Sequence, residues 1–353
     1  MNEASASTDN RADNTGSNDP KKGGIIGILK WFLAVAVILS ILGAAAIYGG
    51  YRWMQNEFAI AGPAMTDETL ILPPGVGLIR ISQQLETDGL VRDARVFRFS
   101  VELDGGARGL RAGEYLIPAQ SSMSDIYQLL LEGVTVQHAI TLAEGLTSAM
   151  IVALVQDADL LVGDLTTVPA EGSLLPETYL FDRGTERTDV IERMRRAQEE
   201  LVEQLWDGRA ENLPFETREE ALILASIVEK ETGISSERDL VASVFVNRLR
   251  RGMRLESDPT IIYGITGGEP LGRGIRRSEL DSTTNAWNTY QIPRLPPTPI
   301  ANPGREAIAA VLNPATTTAL FFVADGTGGH VFADTYAEHL RNVAQWRRIE
   351  RQR

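Results

Sequence analysis

The sequence predicts an α+β protein with a single N-terminal transmembrane helix. Near the N-terminus, the apolar run from Trp31 to Tyr51 contains no charged residue. After this run, short stretches with strand-like alternation are mixed with longer stretches that have the period of amphipathic helices. The chain has 353 residues, of which 43% are apolar, and this is enough for two or three domains with ordinary hydrophobic cores.

The apolar run predicts a membrane anchor. Residues 1–23 are mainly small and polar, which is typical of a disordered cytoplasmic tail, and residues 24–53 are long enough to cross the hydrocarbon core of a bilayer. Because Lys21 and Lys22 precede the apolar centre, the positive-inside rule places the N-terminus in the cytoplasm and the rest of the chain outside. A cleaved signal peptide is the alternative, since Ala44 to Ala46 offer the small residues of a cleavage site.

The first part of the outer region predicts a small α+β module. Residues 54–68 are interpreted as a juxtamembrane linker. Turn signals such as Pro73 and Gly105 then separate the patterns into the order strand, helix, helix, strand within residues 69–118. The expected elements are a strand at 70–72, helices around 79–90 and 96–103, and a strand at 111–117.

Residues 119–216 are interpreted as a connecting α+β region. Within it, residues 172–181 are hydrophobic without a clear period, and we interpret them as an irregular, buried connection. The expected regular elements are a helix at 123–131, a strand at 134–142, a helix near 150–155 and an amphipathic helix at 188–206.

Composition excludes several classes of site. The chain has no cysteine, which rules out disulfides, thiolate nucleophiles and zinc sites built from cysteine. The three histidines, His138, His330 and His339, are too few and too scattered for a metal site, and no His-Glu-x-x-His pattern occurs. A net charge of −13 argues against nucleic-acid binding, because no surplus of Lys and Arg is available to neutralise phosphates. We therefore expect no metal site and no nucleic-acid partner.

The segment that ends in Glu229 is the strongest candidate for chemistry. Thr217 and Glu220 form a capping box, and residues 221–228 are apolar on nearly all sides, which predicts a buried helix. A carboxyl at the end of such a helix is partly desolvated, which raises its pKa and suits it to general acid catalysis. The alternative is that Glu229 merely begins a polar last turn and pairs with a nearby cation. Glu231 is expected nearer to solvent.

Further along, the order of several motifs carries a family resemblance. A helix capped at Ser236 is predicted next, and a Gly-rich hairpin is predicted over residues 321–333. Together the strings resemble the membrane-anchored endolytic murein transglycosylases, the YceG-like family, over residues 69–347. The strings that carry the resemblance are Ala225–Thr232, Ser236–Arg238, Val241–Leu249, Leu255–Gly264, Asn288–Tyr290 and Leu295–Pro297.

The resemblance implies a fold and an activity. It implies that residues 69–118 are a LysM-like module, that residues 217–353 are a mixed α/β catalytic transglycosylase domain, and that Glu229 takes the place of the family's catalytic glutamate. The implied reaction is lytic cleavage of the β-1,4 bond between N-acetylmuramic acid and N-acetylglucosamine, in which the muramoyl C6 hydroxyl closes a 1,6-anhydro ring. Because the nucleophile belongs to the substrate, a second carboxylate is not required, and the resemblance implies no metal and no organic cofactor.

The resemblance also implies a place and partners. The protein would be a single-pass protein of the bacterial inner membrane with a periplasmic catalytic region, and it would act on nascent peptidoglycan strands beside a peptidoglycan synthase. Asn247 and Arg248 flank an apolar helical stripe, where they would bind sugar hydroxyls or act as structural hydrogen-bonding groups. All candidate substrate-binding residues are Asn247, Arg248, Asp258, Tyr263, Asn288, Thr289, Tyr290 and His330.

Two other functions fit the same residues. A hydrolytic muramidase would need a carboxylate that activates water, for which Asp258 and Glu256 are the candidates. A non-catalytic scaffold that binds the cell wall would need no catalytic carboxyl. The masses of the released products separate the first alternative from the transglycosylase, and substitution of Glu229 separates the second.

Overall fold

The structure is a computed structural model that describes residues 23–352, with side chains from Gly27 onwards. The predicted cytoplasmic tail, apart from its last residue, lies outside the described residues. The chain divides into two compact units, and the division falls between Val134 and Thr135. Each unit is a mixture of helices and short antiparallel strands, as the α+β prediction requires.

The first unit follows the predicted order of elements. Strand β1 pairs with β2 in antiparallel register, from Glu68 opposite Ile117 to Leu72 opposite Gly113. Two helices lie between these strands in the chain, which confirms the strand, helix, helix, strand prediction. The elements are α1 Gly23–Ala59, β1 Glu68–Leu72, α2 Leu78–Thr87, α3 Ala94–Asp104, β2 Gly113–Ile117 and α4 Met123–Glu132.

Helix α1 is longer than the predicted transmembrane segment. Within residues 27–59, an 18-residue stretch has a mean hydropathy of 2.3, so the helix is long and apolar enough to cross a membrane by length and composition. Its C-terminal end enters the core of the first unit: Met54 is buried, and the ring of Phe58 lies 6.3 Å from that of Phe97. The prediction of a linker beginning at residue 54 was therefore wrong, because the apolar face of α1 continues for another turn and a half.

The second unit contains the remaining elements. Its two antiparallel strand pairs are β3 with β4 and β5 with β6. The elements are β3 Gln137–Thr141, α5 Ser148–Gln156, β4 Thr178–Asp182, α6 Arg187–Asp207, α7 Arg218–Glu231, α8 Arg238–Arg250, α9 Asp258–Thr266, α10 Arg277–Leu280, α11 Arg305–Leu312, β5 Phe321–Ala324, β6 His330–Ala333 and α12 Tyr336–Glu350.

The centre of the second unit is a cluster of apolar side chains from α7, α8 and α11. Leu224, Ile227, Val241, Ile308 and Val311 are completely buried in it. A helix that is apolar nearly all round must be covered on all sides, and α7 meets this requirement by packing against both neighbours. This arrangement fixes the position of the last turn of α7, which carries Glu229.

Two predictions for this unit need correction. Residues 172–181 are not irregular throughout, because Thr178–Asp182 forms a strand that pairs with Gln137–Thr141. Helix α8 begins at Arg238 after the short turn Ser235–Glu237, and not at a Ser236 cap.

Candidate active site

Helix α7 places Glu229 where a buried helix ends. The predicted capping box is present: Glu220 N–H donates to Thr217 Oγ1 (3.1 Å), and Thr217 N–H donates to the Glu220 carboxylate (3.3 Å). These bonds satisfy backbone donors that a helix leaves free at its first turn. Since residues 223–228 are all buried, the following turn begins inside the protein and Glu229 stays largely shielded.

The carboxyl of Glu229 has a defined set of neighbours. Its side chain is 5% exposed, Gly304 N–H donates to Oε2 (3.0 Å), and Arg238 Nη2 lies 3.8 Å from Oε1. Burial is the largest influence and raises the pKa of Glu229; the nearby Glu144 carboxyl also raises this pKa, while the Gly304 hydrogen bond, Arg238 and Lys230 lower it. The net direction is upward, so this carboxyl holds its proton to higher pH than an exposed glutamate.

Arg238 brings three carboxyl groups together. Its Nη2 lies 3.6 Å from Glu144 Oε2 and 3.8 Å from Glu229 Oε1, and its Nη1 contacts the Glu306 carboxylate. The Arg238 side chain is 7% exposed, and its Nε has no hydrogen-bond partner among the described residues. By contrast, the side chains of Glu144 and Glu306 are 40% and 61% exposed. A shielded cation therefore holds one buried and two solvent-facing carboxyl groups.

Two loops bring Glu144 and Gly304 to Glu229. The loops bond to each other through their backbones: Gly145 N–H donates to Asn302 O (3.1 Å), and Asn302 N–H donates to Leu146 O (2.9 Å). Gly145 has a φ of +76°, in the left-handed region that favours glycine. The chain reverses direction there, so the residue before it, Glu144, reaches the end of α7.

The side chain of Asn302 joins these loops to a third segment. It is completely buried, its Nδ2 donates to Leu146 O (3.1 Å), Ser148 Oγ (3.1 Å) and Glu171 Oε1 (3.2 Å), and its Oδ1 accepts from Leu174 N–H (2.9 Å). Each of these buried groups would lose a partner without the amide. Asn302 thus holds the segment that presents Gly304 N–H to Glu229.

Tyr263, a predicted binding residue, is connected to this network. Its hydroxyl donates to Glu171 Oε2 (3.2 Å), and its ring meets that of Trp287 edge-on with centroids 5.5 Å apart. Burial, followed by the Glu171 charge, raises the pKa of Tyr263 to about 12, and burial raises the pKa of Glu171 as well. The half-buried Tyr263 ring and Trp287 offer an aromatic surface on the same unit as Glu229.

Asp258 and Tyr290 form a pair with each other. Tyr290 Oη donates to Asp258 Oδ1 (2.8 Å), and burial, together with the Asp258 charge, raises the pKa of Tyr290. Next to them, Ser257 Oγ donates to Glu231 Oε1, and burial raises the pKa of Glu231 to about 7. The prediction that Glu231 lies nearer to solvent was wrong, because the segment before α9 covers the last turn of α7.

Four other predicted binding residues use their polar groups inside the protein. The Nδ2 of Asn247 donates to two backbone carbonyls, and the guanidinium of Arg248 donates to three. Asn288 and Thr289 are completely buried, with Asn288 Nδ2 donating to three carbonyls and Thr289 Oγ1 bonding to Thr260 and Ser257. These contacts favour the structural alternative for Asn247 and Arg248. They also leave Asn288 and Thr289 no surface for sugar.

His330, the last predicted binding residue, lies at the start of β6. Its Nδ1 is 2.9 Å from Glu237 Oε2, and its backbone N–H donates to Glu237 Oε1 (3.0 Å). Its ring meets Phe322 edge-on at 5.3 Å. His330 therefore links the hairpin of β5 and β6 to the turn before α8.

Sequence reasoning missed Glu144, Arg238, Gly304 and Asn302 as neighbours or supports of Glu229. The available signal was weak: residues 143–146 fall between a predicted strand and a predicted helix, and Arg238 lies just after the predicted Ser236 cap. No periodicity relates residue 144 to residue 229, because loops and not regular elements bring them together. Within the described part of the chain, no group of three or more His, Asp or Glu side chains is arranged to hold a metal ion.

Comparison with known proteins identifies the family. The model of the YceG-like family matches residues 70–345. The chain belongs to the YceG-like family. An endolytic murein transglycosylase of Bacillus subtilis (strain 168) is 29% identical, and the match covers 85% of this chain and 89% of that protein.

Two further proteins are similar to this chain. An endolytic murein transglycosylase of Streptococcus pneumoniae serotype 2 is 28% identical over 89% of this chain, which spans only 64% of the streptococcal protein. The crystal structure of a YceG-like protein from Listeria monocytogenes has 27% identity, with a TM-score of 0.47, over 79% of this chain and 99% of that chain.

In this YceG-like chain, the buried Glu231 carboxyl should make the free energy of unfolding depend on pH. Its folded-state pKa of about 7 lies above the ordinary value of 4.5, so the folded protein binds the proton more tightly, and stability falls as pH rises between these values. We therefore compare the free energy of unfolding of Glu231→Gln with that of wild type at two pH values. We expect this difference to shift in favour of the variant by on the order of 1–3 kcal/mol between about pH 5 and about pH 8. Thermal unfolding at both pH values tests this, with the exposed Glu219→Gln as control. An equal difference at both pH values would contradict the burial of this carboxyl.

Proposed function

We propose that the chain is an endolytic peptidoglycan lytic transglycosylase, a lyase that cleaves the β-1,4 bond between N-acetylmuramic acid and N-acetylglucosamine and leaves 1,6-anhydro ends. The observation that carries the proposal is the shielded Glu229 carboxyl, with its raised pKa, in a chain of the YceG-like family. The names of the bacillary and streptococcal relatives support the substrate class.

The proposed reaction uses Glu229 twice. As an acid, Glu229 transfers its proton to the glycosidic oxygen while the bond from this oxygen to C1 breaks, leaving an oxocarbenium-like sugar and a carboxylate. The muramoyl O6 then bonds to C1 and gives its proton to the Glu229 carboxylate, which restores the acid. No water is consumed and no cofactor takes part. The raised pKa of Glu229 suits both steps, because the acid is protonated at the start and its conjugate base is basic enough to accept the second proton.

The surroundings of Glu229 support this use. Gly304 N–H and the nearby Arg238 stabilise the carboxylate that exists between the two steps. Tyr263, Asp258 and Tyr290 keep polar or aromatic groups on half-buried or exposed side chains, and we propose these three as sugar contacts. Asn247, Arg248, Asn288, Thr289 and His330 act by holding the loops that carry such contacts.

The first unit and helix α1 have proposed roles of their own. We propose that α1 spans the bacterial inner membrane once, with the N-terminus in the cytoplasm and the catalytic region in the periplasm. The strand, helix, helix, strand arrangement of residues 69–118 supports a LysM-like module that binds glycan. We propose that the chain acts on nascent strands beside a peptidoglycan synthase, which the apolar helix α1 and the family resemblance support. In this scheme residues 217–353 carry Glu229, and residues 119–216 contribute Glu144 to its surroundings.

The masses of released products test the proposed reaction. We expect the purified full-length chain to release fragments from isolated glycan strands that end in anhydro-muramic acid and are lighter by one water than hydrolysis products. Mass spectrometry of the fragments measures this directly, and a muramidase of known hydrolytic action serves as the control. Products that all carry the additional water would establish the hydrolytic alternative instead, and an absence of products would favour the scaffold.

A further inference from the structure

We propose that Glu144 is a second catalytic carboxylate, which faces the reacting sugar and stabilises the positive charge that develops at C1. This inference rests on the proposed function and goes beyond the single-carboxyl mechanism. The first observation is the distance between a carboxyl oxygen of Glu144 and one of Glu229. Because Glu144 Oε2 and Glu229 Oε1 lie 3.6 and 3.8 Å from the same Arg238 Nη2, they are at most about 7.4 Å apart. This upper limit falls within the separations of roughly 5–9.5 Å at which pairs of catalytic carboxyls in glycosidases stand on either side of the reacting bond.

The two carboxyls differ in exposure in the way that two roles require. Glu229, at 5% side-chain exposure, is shielded and inclined to keep its proton, whereas Glu144, at 40%, is open to solvent on one side and to Arg238 on the other. Glu144 can therefore meet a bound sugar without a rearrangement of the core. Its carboxyl packs against the backbone of Gly304, where any Cβ would overlap it.

The local charge changes in step with the reaction. With Glu229 protonated, the carboxylates of Glu144 and Glu306 balance the cations of Arg238 and Lys230. When Glu229 gives up its proton, the cluster acquires one net negative charge at the moment the sugar becomes positive. A charge that is already held in place beside the reacting sugar stabilises the developing positive charge without reorganisation at the moment of reaction. The Arg238 side chain is 7% exposed, and its Nη atoms contact the carboxyls of Glu144, Glu229 and Glu306, so the guanidinium is held at the site.

Three variants separate a catalytic from a structural role for Glu144. Glu144→Gln removes the charge. Gly304→Ala keeps every charge and the N–H donor to Glu229, and its φ of −78° suits alanine, but the added methyl displaces the Glu144 carboxyl. Glu306→Gln removes the other solvent-facing partner of Arg238. If Glu144 only held Arg238 in place, Glu306→Gln would have the same effect as Glu144→Gln.

The experiment is a pH profile of kcat for release of anhydro-ended fragments by the full-length chain. We expect Glu144→Gln to lower the maximum of the profile by about 100-fold. Gly304→Ala should lower it by at least about 10-fold. The maximum for Glu306→Gln should be well above the maxima of these two variants. Since Glu144 raises the pKa of Glu229, its loss should also move the high-pH decline to lower pH. Glu219→Gln, on the exposed first turn of α7, should match wild type.

The possible failures are distinguishable. The role of Glu144 would be overturned if Glu144→Gln had the wild-type maximum, or if Glu306→Gln lost as much activity as Glu144→Gln. The proposed function would remain supported in either case, provided that wild type is active and Glu229→Gln is not. Glu144-dependent release of products that contain the additional water would also overturn it, because Glu144 would then be a base that activates water. Activity that persists in Glu229→Gln would overturn the proposed function itself.

Discussion

We expect Glu229→Gln to release anhydro-ended fragments at least about 1,000-fold more slowly than the wild-type chain. The amide has nearly the same shape and can still accept the hydrogen bond from Gly304 N–H, so the helix end should remain folded. It cannot give a proton to the glycosidic oxygen or take one from the muramoyl O6, so both proposed steps lose their acid or base. Fragment release from isolated glycan strands, followed by mass spectrometry, measures the loss.

The pH dependence of the wild type gives a second view of the same carboxyl. Because burial raises the pKa of Glu229, the protonated acid should persist above the pH at which an exposed glutamate has ionised, and activity should decline as pH rises through the raised value. Glu219→Gln, on the same helix but exposed, is the matched control with wild-type activity. Retention of more than a tenth of wild-type activity in Glu229→Gln would exclude this residue as the acid.

We expect Asn302→Ala to lower the free energy of unfolding by about 3 kcal/mol and to reduce kcat per folded molecule by at least about 10-fold. The substitution leaves Leu174 N–H, Leu146 O and Glu171 without their amide partner inside the protein. The segment that carries Gly304 then loses its fixed position relative to Glu229. Chemical denaturation measures the first effect, and the rate corrected for the folded fraction measures the second.

Asn288→Ala is the matched control for Asn302. Asn288 is also completely buried, and its Nδ2 donates to the carbonyls of Glu279, Leu280 and Ser282. We expect a similar loss of stability but a nearly unchanged kcat per folded molecule, because these bonds hold the loop of Tyr290 and not the segment that carries Gly304. A displaced sugar contact at Tyr290 should instead raise KM. Equal losses of kcat in the two variants would mean that Asn302 stabilises the unit as a whole and does not position Gly304 in particular.

Much of the fold was predictable because local signals agreed with the final packing. In the first unit, alternation around Leu70 and Tyr115 and turn signals at Pro73 and Gly105 predicted the order of elements that β1, α2, α3 and β2 confirm. Strand β4 was missed because Thr178–Asp182 follows a proline-containing apolar run in which no period stands out. This segment forms a strand because it pairs with Gln137–Thr141, far earlier in the chain, and a local sequence pattern does not contain that partner.

The candidate site was likewise predictable only in part. Glu229 could be found because a capping box and an apolar run mark the helix that ends there. Arg238, Glu144 and Gly304 could not, because each reaches Glu229 from a separate loop or helix start, and their proximity depends on backbone bonds such as the one from Gly145 to Asn302. The polar residues of the Asn288–Tyr290 motif were interpreted as sugar contacts. Two of them, Asn288 and Thr289, are completely buried and hydrogen-bond within the protein.

Helix α1 has a mechanical consequence in the proposed membrane-anchored arrangement. It continues without a break to Ala59, and Met54 and Phe58 are already part of the core of the first unit. The next residues are also tied down, since Gly62 N–H donates to Gln120 O (3.1 Å) and Asp67 accepts from Ala119 N–H (2.8 Å). The distance from Tyr51, at the end of the uncharged run, to Ala59 is only about 12 Å along a helix. In this proposed arrangement, a short, continuous helix would connect the first unit to the bilayer, and the unit would reach only the glycan nearest the membrane surface.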